Sequence, residues 1–139
     1  MKNSFGLTFH HLGLAVRTPE KALLFLSGLG YTNGPKIYDE YQEVNLIFCD
    51  HHDMPDVEII YPTSKAGPLD NMLSKNSEII YHTCFESDDV YASVRSMKSL
   101  GHRVMQISPA TPAALFKNRR VSFYLVRGFG LVELLETQQ

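Results

Sequence analysis

Two histidines and two glutamates occupy matched positions in the two halves of this chain. His11 and His82 are 71 positions apart, and Glu58 and Glu133 are 75 positions apart. Each glutamate lies within an apolar run, where a carboxylate is costly to bury unless a cation offsets its charge. Two imidazoles and two carboxylates suit Zn, Ni, Co or Mn ahead of Fe, and they leave coordination positions open for water or substrate. These four residues are therefore the predicted metal ligands.

The same offsets organise the whole chain as an internal repeat. Leu29-Gly30 falls on Leu100-Gly101 at the first offset, and a Leu-Gly pair is typical of a helix C-terminus. Val57-Glu58-Ile59-Ile60 matches Val132-Glu133-Leu134-Leu135 at the second offset. Each half therefore reads as a strand, a helix that ends at Leu-Gly, and three further strands.

The predicted elements form two βαβββ modules of a single domain, covering about 9–62 and 79–136 of residues 1–139. The first has strands at 9–16, 31–38, 43–50 and 55–62 with a helix at 19–28, and the second has strands at 79–86, 102–108, 120–126 and 130–136 with a helix at 89–100. Thr18-Pro19 and Ser87-Asp88-Asp89 are the predicted helix starts. Ser108 to Lys117 is predicted as a loop, because Pro109 and Pro112 break strand and helix patterns.

Strand alternation gives the two polar residues of each module a common face. Leu12, Leu14 and Val16 point one way along the first strand, and His11 points the other way. One helix covers only one face of a four-stranded sheet. The fold class is therefore predicted as α+β, with paired modules forming a curved, open barrel-like sheet around a metal-binding cleft.

Composition limits the partners of this chain. The 13 basic and 15 acidic residues nearly balance, which excludes a strong overall attraction to nucleic acid or to an anionic membrane. No apolar run approaches the ~20 residues of a membrane span, and the N-terminus lacks a signal-peptide pattern, so a cytoplasmic protein with a small-molecule partner is expected. Cys49 and Cys84 are interpreted as buried free thiols.

Four motifs resemble those of the vicinal-oxygen-chelate superfamily, across nearly the whole chain. They are His11-Leu12-Gly13-Leu14-Ala15-Val16, Val57-Glu58-Ile59-Ile60-Tyr61-Pro62, Tyr81-His82-Thr83-Cys84-Phe85-Glu86 and Gly130-Leu131-Val132-Glu133-Leu134-Leu135-Glu136. Within the superfamily the chain is most similar to methylmalonyl-CoA epimerases and glyoxalase I. That resemblance implies the same four ligands, His11, Glu58, His82 and Glu133, on the first and last strand of each module. It also implies a homodimer.

The resemblance implies a metal-dependent lyase, isomerase or epimerase that moves a proton next to a carbonyl or thioester through a metal-stabilised enolate. Glyoxalase I uses a metal-bound glutamate as base, a role open to Glu133 or Glu58. Epimerases have Gln where Glu58 stands, and Tyr41 stands where they have their catalytic Glu, so the base could also be a neighbour of Tyr41. Tyr41, Arg119 and Arg120 are predicted to contact a substrate thioester or carboxylate.

Two other functions are compatible with the same superfamily. A ring-cleaving dioxygenase would need Fe(II), typically held by two histidines and one glutamate. A binding protein of the bleomycin-resistance type usually lacks the metal ligands that are present here.

Overall fold

The computed structural model describes residues 3–137, and these fold as a mixed α+β chain. The described residues contain nine strands, three α-helices and one short 3-10 helix. In chain order they are β1 Leu7–Val16, α1 Glu20–Gly28, β2 Thr32–Asp39, β3 Val44–Asp50, β4 Val57–Pro62, α2 Pro68–Leu73, β5 Glu78–Ser87, α3 Val90–Ser99, β6 Val104–Gln106, β7 Thr111–Ala113, the 3-10 helix Ala114–Phe116, β8 Arg119–Val126 and β9 Gly130–Glu136. The predicted α+β class is confirmed, and so is the repeated β-α-β-β-β order, to which the second half adds the short strand β7.

The chain divides into two compact units. Residues 11–81 form the first unit, and the described residues up to His10 join those from His82 onward in the second unit. The division falls inside β1 and inside β5, so each of these strands contributes to both units. Within residues 3–137, no helix has the length and apolar character needed to cross a membrane.

In the first unit, the strands follow the order β2-β3-β4-β1. β1 runs parallel to β4, and β2, β3 and β4 are antiparallel neighbours. Alternation sends one set of side chains toward α1, where Leu26 of the helix is buried against the strands. The strand residues of this core are Val16, Ile47, Cys49, Val57 and Ile59. The opposite face of the strands carries His11 and Glu58.

In the second unit, the strands follow the order β5-β9-β8-β6, and β7 pairs with β8. β5 runs parallel to β9, and β8 is antiparallel to β9, β6 and β7. Met97 of α3 is buried against one face of these strands. The other buried members of this core are Leu7, Tyr124, Val132 and Leu134. The two units therefore share one plan, in which a helix covers one face of four strands.

The helix ends follow the sequence pattern with one exception. Asp89 caps α3, because its side chain accepts a hydrogen bond from the backbone N–H of Ala92. Gly30 and Gly101 follow their helices with φ of +96° and +94°, a region that favours glycine. The predicted cap at Thr18 is wrong: Pro19 occupies the N-cap position of α1 without a side-chain bond, and the helix begins at Glu20.

The predicted loop from Ser108 to Lys117 is also wrong in part, because it contains β7 and the 3-10 helix. Pro112 lies in β7, opposite Arg120 of β8. An edge strand tolerates proline, since only one side of the strand needs to form hydrogen bonds. Lys117 and Asn118 then adopt positive φ angles of 55° and 63°, which turn the chain into β8.

Both cysteines are buried and neither forms a disulfide, as the sequence indicated. Burial raises the pKa of the Cys49 thiol to about 11, with a smaller contribution from the charge of Asp50. Cys49 is therefore protonated at neutral pH and lies in the core beside Val57 and Ile59.

His51 organises the turn between β3 and β4. Its Nδ1 accepts hydrogen bonds from the backbone N–H groups of Asp53 at 2.9 Å and Met54 at 3.0 Å. Its Nε2 lies 2.9 Å from the carbonyl oxygen of Leu29, an arrangement that requires the neutral ring with the proton on Nε2. His51 thus joins the end of α1 to the β3–β4 turn.

Replacing this ring tests its structural role. We expect His51→Ala to lower the free energy of unfolding by about 1–2 kcal/mol, because three hydrogen bonds are lost and their backbone partners are partly exposed to water. His52→Ala is the matched control: His52 is exposed and stacks on His51, so its loss should cost under about 0.5 kcal/mol. Urea unfolding measures both, and equal stability of the two variants would contradict the role of His51.

Candidate active site

The first unit brings His11 and Glu58 together on the face opposite α1. In the parallel pairing of β1 with β4, Gly13 lies beside Glu58, and His11 is two residues earlier on the same face. His11 is 0% exposed and Glu58 is 4% exposed. Nε2 of His11 lies 3.7 Å from Oε1 of Glu58, which places the imidazole and the carboxylate side by side in the protein interior.

The second unit repeats this arrangement with His82 and Glu133. Cys84 lies beside Glu133 in the parallel pairing of β5 with β9, and His82 is two residues before Cys84. Both side chains are buried, and Nε2 of His82 lies 3.2 Å from Oε1 of Glu133. In each unit, a parallel pair of strands thus brings together a histidine and a glutamate that are far apart in the sequence.

A phenylalanine packs on each of these histidines, and the sequence analysis missed both rings. Phe48 is the cross-strand partner of Glu58. Its ring packs edge to face on the His11 ring, with 5.7 Å between the ring centroids. Phe123 is the cross-strand partner of Glu133 and meets His82 edge to face at 5.4 Å. Phe48 and Phe123 are 75 positions apart, the same offset as the two glutamates. That shared offset is the signal that could have found them.

The distances within the two pairs fit atoms that share a cation. With bonds of about 2.1 Å from nitrogen or oxygen to the ion, two ligand atoms on a tetrahedral site lie about 3.4 Å apart. The two measured separations, 3.2 and 3.7 Å, lie on either side of this value. Buried carboxylates beside imidazole nitrogens are therefore a donor set that a divalent metal fits.

Arg119 lies on the same face of the second unit as Glu133, but its guanidinium is already engaged. Nη2 of Arg119 pairs with the carboxylate of Glu86, and Nε donates to the backbone carbonyl of Glu136 at 2.8 Å. Arg120 points to the other face and is exposed, 3.6 Å from a carboxylate oxygen of Glu136.

An apolar layer separates Arg119 from the His82–Glu133 pair along the strands. Arg119 is four residues from Phe123 on β8, or about 13 Å at the usual rise per residue. The side chains that pack together on this part of the face are Cys84, Ala113, Val121 and Leu135, with Phe116 against them. The structure therefore brings Arg119 to the same face as the pair and keeps it at a distance.

Tyr41 lies in the turn between β2 and β3 and is 56% exposed. The side chain of Asp39 holds this turn, because it accepts hydrogen bonds from the backbone N–H groups of Tyr41 and Gln42. Val44, where β3 begins, is four residues or about 13 Å from Phe48. Tyr41 therefore lies at the turn end of β3, seven residues before Phe48.

Comparison with known proteins gives a family match and a curated relative. A sequence profile of the Glyoxalase/Bleomycin resistance protein/Dioxygenase superfamily matches residues 10–123. A mitochondrial methylmalonyl-CoA epimerase of Dictyostelium discoideum is 32% identical over 54 residues, which are 38% of this chain and 32% of that protein. The chain thus matches about a third of the length of this relative.

Solved structures share the fold over almost the whole chain. Methylmalonyl-CoA epimerase from Mycobacterium tuberculosis has a TM-score of 0.79 at 20% identity, and the match covers 100% of this chain and 94% of that one. Streptomyces coelicolor methylmalonyl-CoA epimerase in complex with 2-nitronate-propionyl-CoA has a TM-score of 0.72 at 22% identity, covering 96% and 99%. At such identities the likeness establishes the fold. Because the profile match spans most of its length, this chain belongs to the Glyoxalase/Bleomycin resistance protein/Dioxygenase superfamily.

Proposed function

We propose that this protein is an epimerase that moves a proton at the carbon next to the carbonyl of a coenzyme A thioester. The observation that carries the proposal is the pair of buried His–Glu contacts, His11–Glu58 and His82–Glu133. The named relatives support the substrate class, since they are methylmalonyl-CoA epimerases and one is complexed with a coenzyme A thioester analogue. A homodimer is part of the same proposal.

We propose further that the four residues of the two pairs hold one divalent metal. His11, Glu58, His82 and Glu133 are a set of side chains that could hold such an ion. When bound, the ion would supply positive charge that lowers the pKa of a C–H next to a carbonyl. The mixed nitrogen and oxygen donors favour Zn, Ni, Co or Mn over softer ions.

The two glutamates are the proposed proton carriers. Epimerisation removes a proton from one face of a carbon and returns a proton to the opposite face, so it needs a carboxylate that can reach each side. Glu58 comes from the first unit and Glu133 from the second, so the chain has one carboxylate for each task. Phe48 and Phe123 pack beside them, and apolar rings there exclude water that would otherwise compete for the proton.

The departure from the epimerase pattern at Tyr41 fits this assignment. Glu40 and Glu43 flank Tyr41, and all three side chains are exposed in the β2–β3 turn. A general base must lie within hydrogen-bond reach of the proton that it removes. The two buried glutamates are the preferred bases because each lies beside an imidazole that could share a metal ion with it.

Metal content tests the proposed ligands. We expect protein purified without added metal or affinity tag to hold close to one equivalent of Zn, Ni, Co or Mn by elemental analysis. His82→Ala should reduce the metal to background, whereas the exposed His52→Ala should keep it. Iron in the wild-type protein would favour a dioxygenase instead. If no metal is retained and none binds on titration, the metal site is wrong and a binding protein becomes the better interpretation.

Proton exchange tests the two carboxylates. In D2O, each epimer of methylmalonyl-CoA should acquire deuterium at the carbon next to the carbonyl. Mass spectrometry measures the rate of this exchange. Glu133→Gln and Glu58→Gln should each slow exchange by about 10²–10⁴-fold for the epimer whose proton that glutamate removes, because the amide cannot accept the proton. Metal content measured on the same samples separates loss of the base from loss of the ion.

Glu40→Gln is the control for that experiment, and its exchange rate should match the wild type. If Glu40→Gln loses most of its exchange rate while the other two variants exchange normally, the base lies in the β2–β3 turn. If no exchange occurs with methylmalonyl-CoA or with a panel of other 2-substituted acyl-CoA thioesters, the proposed reaction is wrong.

The proposed substrate contact of Arg119 is tested against its structural role. Arg119→Ala leaves the part-buried Glu86 without its partner, so we expect the free energy of unfolding to fall by about 1–3 kcal/mol. Arg120→Ala should change the free energy of unfolding by under about 0.5 kcal/mol, since exposed ion pairs contribute little to stability. Urea unfolding is measured alongside KM for the thioester. A higher KM without loss of stability in Arg119→Ala would show that Arg119 mainly serves the substrate.

A further inference from the structure

Two adjoining cavities lie at one corner of the second unit, where α3 ends and β8 turns into β9. The larger cavity has a volume of about 830 Å³, and its lining includes four basic side chains, Lys98, His102, Arg103 and Arg127, among apolar ones. None of its described lining residues is acidic. We refer to it as the basic pocket.

The cations of the basic pocket are available to a ligand. Lys98, Arg103 and Arg127 are exposed, and across residues 3–137 none of them forms an ion pair. The carbonyl groups that end α3 are already engaged, since those of Met97 and Lys98 accept backbone N–H groups. A chain with a net charge of −2 thus gathers three permanent positive charges around one cavity.

The second cavity has a volume of about 500 Å³ and a mainly apolar lining that includes four aromatic rings. Phe5, Phe85, Phe129 and the ring of His102 line it, together with core side chains of the α3 face. We refer to it as the aromatic slot. It shares His102, Arg127 and Phe129 with the basic pocket, so the two cavities adjoin each other.

We infer that this corner binds a nucleotide, with the base in the aromatic slot and the phosphates in the basic pocket. Bases stack on aromatic side chains, and arginine pairs with phosphate oxygens through its planar fork of donors. Both volumes lie in the range of cavities that hold small molecules. A fatty acid would offer one negative charge to three cations, whereas a nucleotide diphosphate or bisphosphate offers several.

The corner is separate from the His82–Glu133 pair. Phe123 contacts His82, and Arg127 follows it by four residues, about 13 Å along the chain. The nucleotide could be a free molecule, or it could be the nucleotide part of the proposed coenzyme A thioester. The second source rests on the proposed function, and the first does not.

Binding is measured by isothermal titration calorimetry on the full chain, with adenosine 3′,5′-bisphosphate and inorganic pyrophosphate as probes. We expect saturable one-site binding of both. Arg103→Gln and Arg127→Gln should each weaken the binding of both probes by about tenfold or more, as expected for lost hydrogen bonds to a charged group. Arg95→Gln is the matched control, because Arg95 lies on α3 over the ring of Tyr91 and outside both cavities.

A second variant tests the aromatic slot separately. Phe129→Ala should weaken the binding of adenosine 3′,5′-bisphosphate by about fivefold or more and leave the binding of pyrophosphate unchanged, because only the first probe carries a base. Circular dichroism of each variant excludes loss of the fold as the cause. Failure to detect either probe at millimolar concentration, or equal affinity in Arg95→Gln and Arg127→Gln, would overturn the inference.

Competition identifies the source of the nucleotide. If coenzyme A displaces the bisphosphate and Arg127→Gln raises KM without changing kcat, the corner holds the nucleotide part of the substrate. If coenzyme A does not compete, the corner binds a separate nucleotide. Both results support a nucleotide site, and neither calorimetric probe requires turnover, so failure of the proposed reaction is recognised independently.

Discussion

Glu58 and Glu133 each lie in a strand whose neighbouring residues are apolar and buried, and this placement constrains the rest of the structure. An ionised carboxylate in such surroundings costs several kcal/mol unless its charge is compensated by a well-placed partner. The structure places a buried histidine beside each glutamate, and imidazole nitrogens and carboxylate oxygens together are ligands of divalent metals. A cation would offset the charge of the carboxylates, and this is the physical reason to propose a metal at these residues.

Strand pairing makes that placement possible. His11 and Glu58 are distant in the chain, as are His82 and Glu133, and in each case a parallel pair of strands brings them together. A parallel pair requires a long connection, which each unit supplies as a helix and two antiparallel strands. The helix covers the apolar face, so the polar residues remain on the other face. The same alternation that builds the core therefore also builds the site.

The sequence predicted those features that depend on local periodicity and on the repeat. Alternation identified which face carries His11 and Glu133, and the Leu-Gly pairs identified where α1 and α3 end. Features that depend on a distant partner were missed. Pro112 predicts a break in strand structure, because nothing local shows that β7 pairs on one side only. The engagement of Arg119 with Glu86 was missed for the same reason, since the two residues are 33 positions apart and meet only after β5, β8 and β9 assemble.

Comparison of the two units separates the residues that both contain from those that only one contains. The histidine and glutamate of each pair, and the phenylalanine that packs on the histidine, recur in both units at the repeat offsets. The Glu86–Arg119 pair does not recur, because the equivalent positions in the first unit are Ala15 and Val44.

The basic pocket is also limited to the second unit. The positions equivalent to Lys98, Arg103 and Arg127 are a serine, a threonine and a histidine, so the first unit has no permanent cation at any of them. If chemistry needs a matched group on each side of the reacting carbon, both units must keep it. A ligand that binds at one corner needs its cations only once. The pattern of recurrence is thus what the proposed two-carboxylate reaction, with a ligand site on one unit, would require.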